Sequence, residues 1–352
     1  MNIIAIADGR QTELRIDAED LPSQLEICRA ECPDITATVK QFGSDGAVLY
    51  HIYPDRKGRL RSSDVLSKTD SKASFRAADL SRFIQGSIQD GTQNYMIVLG
   101  TGSGFQQIIG MKISEFREGL ANAELRTGIK LDGILFSAST HGYNFEGLNE
   151  IREQADFAIA WRAFEKAGMV PWASLLQRMH ESIQTGEDNR SLGKAFVAQF
   201  KQEIEQQEIA PRAITYVDFS SLKLLNQTLD ALGGQRPKLE PVIEQLKNAV
   251  RESQVAYGDT GSFGLLGHSL HHLDTMRLRC NPRFVHEALI SYHRAVPIST
   301  AVPDYPGTAG LSFFAPSRLD YQRQQSNSER YEDLRNLGDN WKELIYAISP
   351  NN

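Results

Sequence analysis

The chain has 352 residues, of which 41% are hydrophobic and 23% charged, with a formal net charge of -6. Such values suit an ordinary soluble globular protein, long enough for one large α/β domain or a core with an appended half. The positive charges are dispersed, so no nucleic-acid partner is required, and no run approaches the ~20 apolar residues of a membrane span. The three cysteines, Cys28, Cys32 and Cys280, are too few and too odd in number for a disulfide scaffold. With no basic stretch and apolar run at the N-terminus, the expected location is the cytoplasm.

In chain order, the apolar run 2–7 ended by Asp8-Gly9 predicts a buried strand entering a turn. A helix is expected over 19–31, with Cys28 and Cys32 four residues apart on one face; such a pair is ordinarily buried rather than redox-active. Residues 35–42 alternate like a strand. Residues 47–53 and 59–65 flank Pro54-Asp55-Arg56-Lys57-Gly58, a hairpin turn whose basic cluster reads as a solvated tip. The Ser-rich stretch 62–74 is expected to be a surface loop. There follow a helix over 77–89, a strand over 95–99, the glycine-rich turn 100–104, a helix near 113–126, a strand over 131–136, a helix near 144–155 and a short apolar run at 157–161.

The second half is expected to be richer in helices, over 171–184, 191–207, 219–232 and 239–254, with one clear strand at 213–218. The Gly-rich stretch 256–267 is expected to be a long loop, the run 311–314 apolar, and a final helix near 329–347. Strands alternating with helices argue for a mainly parallel sheet covered on both faces. The expected division is an α/β core over 1–235 and a helix-rich C-terminal part over 236–352 that completes it.

In an open α/β sheet, ligands sit beyond the carboxyl ends of the strands. Two strand ends stand out. One is Leu99-Gly100-Thr101-Gly102-Ser103-Gly104-Phe105, and the other is Phe136-Ser137-Ala138-Ser139-Thr140-His141. The glycine turn lacks the Lys-Ser/Thr ending of a P-loop and the third glycine of a dinucleotide fingerprint. No cofactor is therefore expected, and the turn reads as a tight strand-to-loop connection.

These two segments resemble the clostripain family of cysteine peptidases, of the caspase-like clan. In that family a strand runs into Asp-His-Gly-x-Gly-Trp and the next core strand ends in Phe-Asp-Ala-Cys-Leu-Met. The resemblance extends along most of the chain. Ala78-Asp79-Leu80-Ser81-Arg82-Phe83-Ile84 is similar to the family helix before the histidine strand, and 214–222 to its Asp-Leu-ser-x-Leu segment. Gly310-Leu311-Ser312-Phe313-Phe314-Ala315-Pro316 is similar to a late family strand, while Tyr331, Leu334 and Trp341 fit the closing helix. The resemblance implies a caspase-like three-layer sandwich with a mainly parallel central sheet flanked by helices.

It also implies a site whose chemistry has changed. The family histidine falls on Thr101 and the family cysteine on Ser139. A Cys–His peptidase needs a thiolate and an imidazole; Thr101 has no accessible pKa near neutrality and cannot be the base. The groove implied by the resemblance comprises Gly102, Ser103, Gly104, Ser137, Trp161 and Arg162. Arg162 and Lys166 bring positive charge where the family accepts a basic side chain, and Trp161 is expected to fill that pocket. The expected protein is a pseudopeptidase with a protein or peptide partner, an active peptidase relative being one candidate, and without nucleic acid or membrane.

The residues also admit two other readings. An active serine hydrolase would use Ser139 with a histidine brought from elsewhere, since His141 diverges from the same backbone and no G-x-S-x-G elbow surrounds Ser139. A metal site would use His268 and His272, four apart on a helix, with His271 and Asp274 nearby. That segment lacks the Glu of H-E-x-x-H and reads as a polar helix face or a capped turn, so no metal is expected.

Overall fold

In the computed structural model the described residues are 1–8, 15–43, 46–52, 64–69, 75–100, 107–138, 144–163, 170–207, 212–235, 239, 243–257, 263–275, 282–301, 312–314 and 334–348. The first strand, β1 (Asn2–Asp8), is buried along its whole length. A continuous apolar run of this kind belongs in a strand covered on both faces, and β1 pairs in parallel with β2 (Thr36–Gly43) on one side and β5 (Asn94–Leu99) on the other. The parallel set continues through β8 (Leu131–Ala138) to β9 (Ala155–Ala163).

Antiparallel strands extend both sides of this five-stranded centre. On one side are β3 (Gly46–Ile52) and β4 (Asp64–Thr69). On the other are β10 (Arg212–Asp218) and β12 (Ile298–Ala301). The nine-stranded order is β12-β10-β9-β8-β5-β1-β2-β3-β4. Two further pairs stand apart, β6 (Gln107–Ile108) with β7 (Met111–Lys112), and β11 (Phe263–Leu265) with β13 (Ser312–Phe314).

Helices cover both faces. Odd-numbered positions of β1, such as Ile3, Ala5 and Ala7, join a core with α1 (Arg15–Glu31), α5 (Trp172–Gln184) and α6 (Asn189–Gln207). Even positions, such as Ile4 and Ile6, join the other core with α2 (Ala77–Ser87), α3 (Ile113–Thr127), α4 (Phe145–Ile151) and α7 (Phe219–Gly233). The same core takes in α8 (Ile243–Tyr257), α9 (Leu266–Thr275), α10 (Pro282–Ala295) and α11 (Asp339–Ile348). This split is the period-2 rule of a strand read across a three-layer sandwich. In α7, Phe219, Leu222, Leu225, Leu229 and Leu232 recur at helical spacing and are all buried, which docks the helix on the sheet. Chain ends of the helices are fixed locally: Asp218 accepts from the Ser220 backbone N–H at 2.9 Å as the N-cap of α7, and Gly128, at φ 71°, closes α3.

On the α1 side, Tyr95, Phe157 and Tyr216 form an aromatic row with centroid separations of 6.1 and 5.3 Å. A Cβ on Gly133 would stand 2.5 Å from Phe157 Cζ, so only glycine leaves room for the ring.

Several expectations are corrected. The stretch 62–74 is not all surface loop, because Asp64–Thr69 pairs with β3; among the described residues β3 is its one neighbour, and an edge strand needs no apolar run. The second arm of the hairpin therefore lies later than 59–65, and its turn residues are outside the described set. Of the expected long loop at 256–267, 258–262 lies outside the described residues, and the rest ends α8, contributes β11 and begins α9. The final helix starts at Asp339 rather than near 329, and the helix near 144–155 stops at Ile151, leaving 155 to start β9.

Candidate active site

The register across the parallel strands lines up Ala7, Leu99, Ser137 and Trp161 on β1, β5, β8 and β9. At a strand spacing of about 4.8 Å, Leu99 and Trp161 stand roughly 10 Å apart with Ser137 between them. One residue further on, Arg162 pairs with Ala138. The strand ends at Asp8, Leu99, Ala138 and Ala163 thus emerge along one edge, where open α/β sheets hold their ligands.

The structure brings the two strands named by the sequence motifs side by side, in register and parallel. Ser137, Trp161 and Arg162 are all strand residues of that edge, Trp161 and Arg162 lying within β9 rather than in a connection after it. Thr101, Gly102, Ser103, Gly104 and Ser139 lie outside the described residues.

The chain on the β5 side is held by the β6–β7 hairpin. Its turn residues Ile109 and Gly110 have φ of 55° and 74°, the two positive values a type I′ turn requires. A β-branched residue rarely adopts this conformation, yet Ile109 is buried and its Cγ1 would be 3.3 Å from a Cβ placed on Gly100. Gly100 therefore permits the hairpin to lie against the strand end. The hairpin runs directly into α3, where the Glu115 carboxylate accepts from the Lys112 N–H at 3.1 Å.

On the β8 side the support is α4. Asn144 caps it by accepting from the Gly147 N–H at 2.6 Å, and every residue of the helix is buried. Three of those residues are polar. Glu150 pairs with Arg117 of α3 at 2.5 Å and accepts from the Asn336 N–H at 2.6 Å. Asn149 donates to the Asn336 carbonyl at 2.6 Å and accepts from Arg152 at 2.9 Å. A segment some 186 residues away in sequence is thereby tied to the helix that follows β8. Sequence reasoning missed this network, because Glu and Asn in a short helix read as a solvated face.

Asp8 is a further residue that sequence reasoning treated only as a turn signal. It is 3% exposed and ends β1, next to the strand that leads to Gly100.

The described histidines of β3 and α5 are engaged elsewhere. His51 Nδ1 is 2.9 Å from Thr38 Oγ1, and His180 Nε2 is 3.4 Å from Gln184 Nε2. His268, His271 and His272 fall on α9, and among the described residues no group of three or more His, Cys, Asp or Glu is placed to hold a metal ion. No helix among the described residues is long and apolar enough to cross a membrane.

Cys28 and Cys32 are free and buried at the end of α1, with the Cys32 N–H bonded to the Cys28 carbonyl at 2.9 Å. Burial pushes the Cys28 thiol up to about 12, with the Cys32 and Glu31 charges acting the same way, and burial also raises Cys32. A thiol so raised is neither a nucleophile nor a metal ligand near neutrality.

No family model matches the sequence, and no curated protein does. Solved structures do match. An inactive zymogen C11 protease from Parabacteroides distasonis is 15% identical, with 98% of this chain and 97% of that chain covered at a TM-score of 0.67. A secreted C11 cysteine protease from Bacteroides thetaiotaomicron, in complex with an irreversible peptide inhibitor, is 12% identical, with 98% of each chain covered at a TM-score of 0.66. Another structure of a secreted C11 protease from that organism is 13% identical, with 86% of each chain covered at 0.62. The chain has the caspase-like fold of these C11, clostripain-type, proteases over essentially its full length.

Proposed function

We propose that this protein is a clostripain-like peptidase homologue that retains a peptide-binding groove and lacks peptidase chemistry. The observation that carries the reading is the pairing of β5 with β8. Thr101 and Ser139 each follow by two residues the register partners Leu99 and Ser137, and the sequence resemblance sets the family histidine and cysteine at these two positions. A threonine hydroxyl cannot take a proton near neutral pH, and a serine without a base is a poor nucleophile. Removing one member of a catalytic set costs several orders of magnitude in rate, and here both are replaced.

A groove without catalysis serves binding, either of a peptide segment or of an active peptidase relative. Both ends of the sheet offer a route for a partner strand, since among the described residues β4 pairs only with β3 and β12 only with β10. Arg162 and Lys166 occupy the sequence positions where the family takes up a basic side chain, so arginine and lysine are disfavoured there and neutral or acidic residues preferred. Free buried cysteines suit a reducing compartment, and the cytoplasm is the proposed location.

The test is hydrolysis of a mixed fluorogenic peptide library by the purified protein beside its Ser139→Ala variant, with peptide binding followed by fluorescence polarisation. The reading expects no turnover above the variant, and binding that favours neutral and acidic peptides over basic ones. Turnover that disappears in Ser139→Ala would make the protein a serine-based hydrolase and overturn it.

A further inference from the structure

Between α2 and the strands β2 and β3 lies a recess of about 260 Å³, apart from the β5 and β8 ends. Lys40 of β2 and Arg82 and Asp79 of α2 line it, together with the apolar Val48, Leu49 and Phe83. We propose that this recess is a binding site for a small monocarboxylate with an apolar body, whether a free acid or the C-terminal residue of a peptide chain.

Lys40 carries the argument. Its ammonium stands 4.8 Å from the centroid of Phe75 and 5.7 Å from that of Phe42. The ring faces attract its charge but accept no conventional hydrogen bond. Among the described residues no oxygen accepts from it, although it has three N–H donors. Burial lowers its pKa, with Asp79 opposing and Arg82 adding to the shift; an anion brought to the ammonium relieves that cost.

Arg82 supplies the second donor set. Its Nη2 pairs with Asp79 at 2.7 Å and its Nε donates to the Ala78 carbonyl at 3.3 Å, which leaves donors of the five-N–H fork free. Asp79 holds the guanidinium in place, and its own charge opposes a second negative charge in the recess. The site therefore selects a single carboxylate over a phosphate ester. Its volume is below the about 300–1,000 Å³ of sites for drug-sized ligands, which restricts the occupant to one small residue or acid.

The experiment is isothermal titration of the full chain with isovalerate and with N-acetyl-leucine, each beside its neutral amide, for the native protein and for Lys40→Met and Arg82→Gln. At least one acid is expected to bind about tenfold or more tightly than its amide, the equivalent of one charge-assisted hydrogen bond. Lys40→Met is expected to lose about that factor and Arg82→Gln a smaller one. Binding of isovalerate alone identifies a free acid as the occupant, and binding of N-acetyl-leucine alone identifies a chain end. Arg82, 71% exposed at its side chain, is replaceable without disturbing the fold, so its variant keeps the test decisive if Lys40→Met misfolds. Failure of both acids to bind, amides binding as well as acids, or affinity unchanged in both variants would overturn the proposal.

Discussion

Glu150→Ala removes the centre of the network that fixes α4 behind β8. The Glu150 side chain is 2% exposed and its partner Arg117 only 18%, so the pair is largely out of water. Deleting one partner of such a pair costs about 3–5 kcal/mol, because the other charge stays behind uncompensated. Arg117 retains some solvent and takes the lower end, whereas the Asn336 N–H loses its acceptor as well, which costs about 1–3 kcal/mol. The two losses overlap, and the expected total is about 3–4 kcal/mol. Glu150→Gln keeps an acceptor for Asn336 and should cost about 1–2 kcal/mol. In Arg117→Met/Glu150→Met neither charge of the pair is left facing an empty partner, and the loss should fall to about that of the unpaired Asn336 N–H, about 1–3 kcal/mol. Urea unfolding followed by tryptophan fluorescence measures the totals, and hydrogen exchange locates the effect. Protection should fall first in α4 and around 334–338, the segment that Asn149 and Glu150 hold. A loss under about 1 kcal/mol in Glu150→Ala, or a double variant weaker than the single one, would refute the reasoning.

Other consequences follow from packing and ionisation. A Cβ on Gly193 of α6 would run into the ring of Tyr216, which Phe157 backs at 5.3 Å, so Gly193→Ala should destabilise by about 2–3 kcal/mol in urea unfolding. Gly86→Ala, with open space around its Cβ on α2, should be neutral or stabilising by up to about 1 kcal/mol in the same measurement. Cys28 and Cys32 should resist iodoacetamide at neutral pH in the folded protein and react once it is unfolded, as read by peptide mapping; rapid alkylation of the native protein would contradict their buried, raised-pKa setting.

The central strands were legible because burial on both faces makes them continuous apolar runs: β1, β5 and β8 match the runs at 2–7, 95–99 and 131–136 closely. The neighbourhood of β5 and β8, and hence the candidate site, followed from motif order rather than from periodicity. Elements with little apolar signal were not legible. β4 reads as a polar loop because Asp64–Thr69 holds only two apolar residues, β12 has four residues, and α9 sits in a stretch whose glycines and histidines obscure the helical period. The β6–β7 turn was hidden for a different reason: Ile109 takes a positive φ that its residue type disfavours, a choice made by packing on Gly100 rather than by turn propensity. Lys40 was unremarkable in sequence, since only the fold sets it over Phe42 and Phe75.

The most direct test of the central claim is to restore the dyad. The double variant Thr101→His/Ser139→Cys, assayed on the mixed fluorogenic peptide library beside the native protein and each single variant, should hydrolyse peptide where the other three do not, with the activity blocked by a thiol alkylating agent. Equal inactivity of all four, with the double variant folded, would contradict a retained peptidase groove at the ends of β5 and β8.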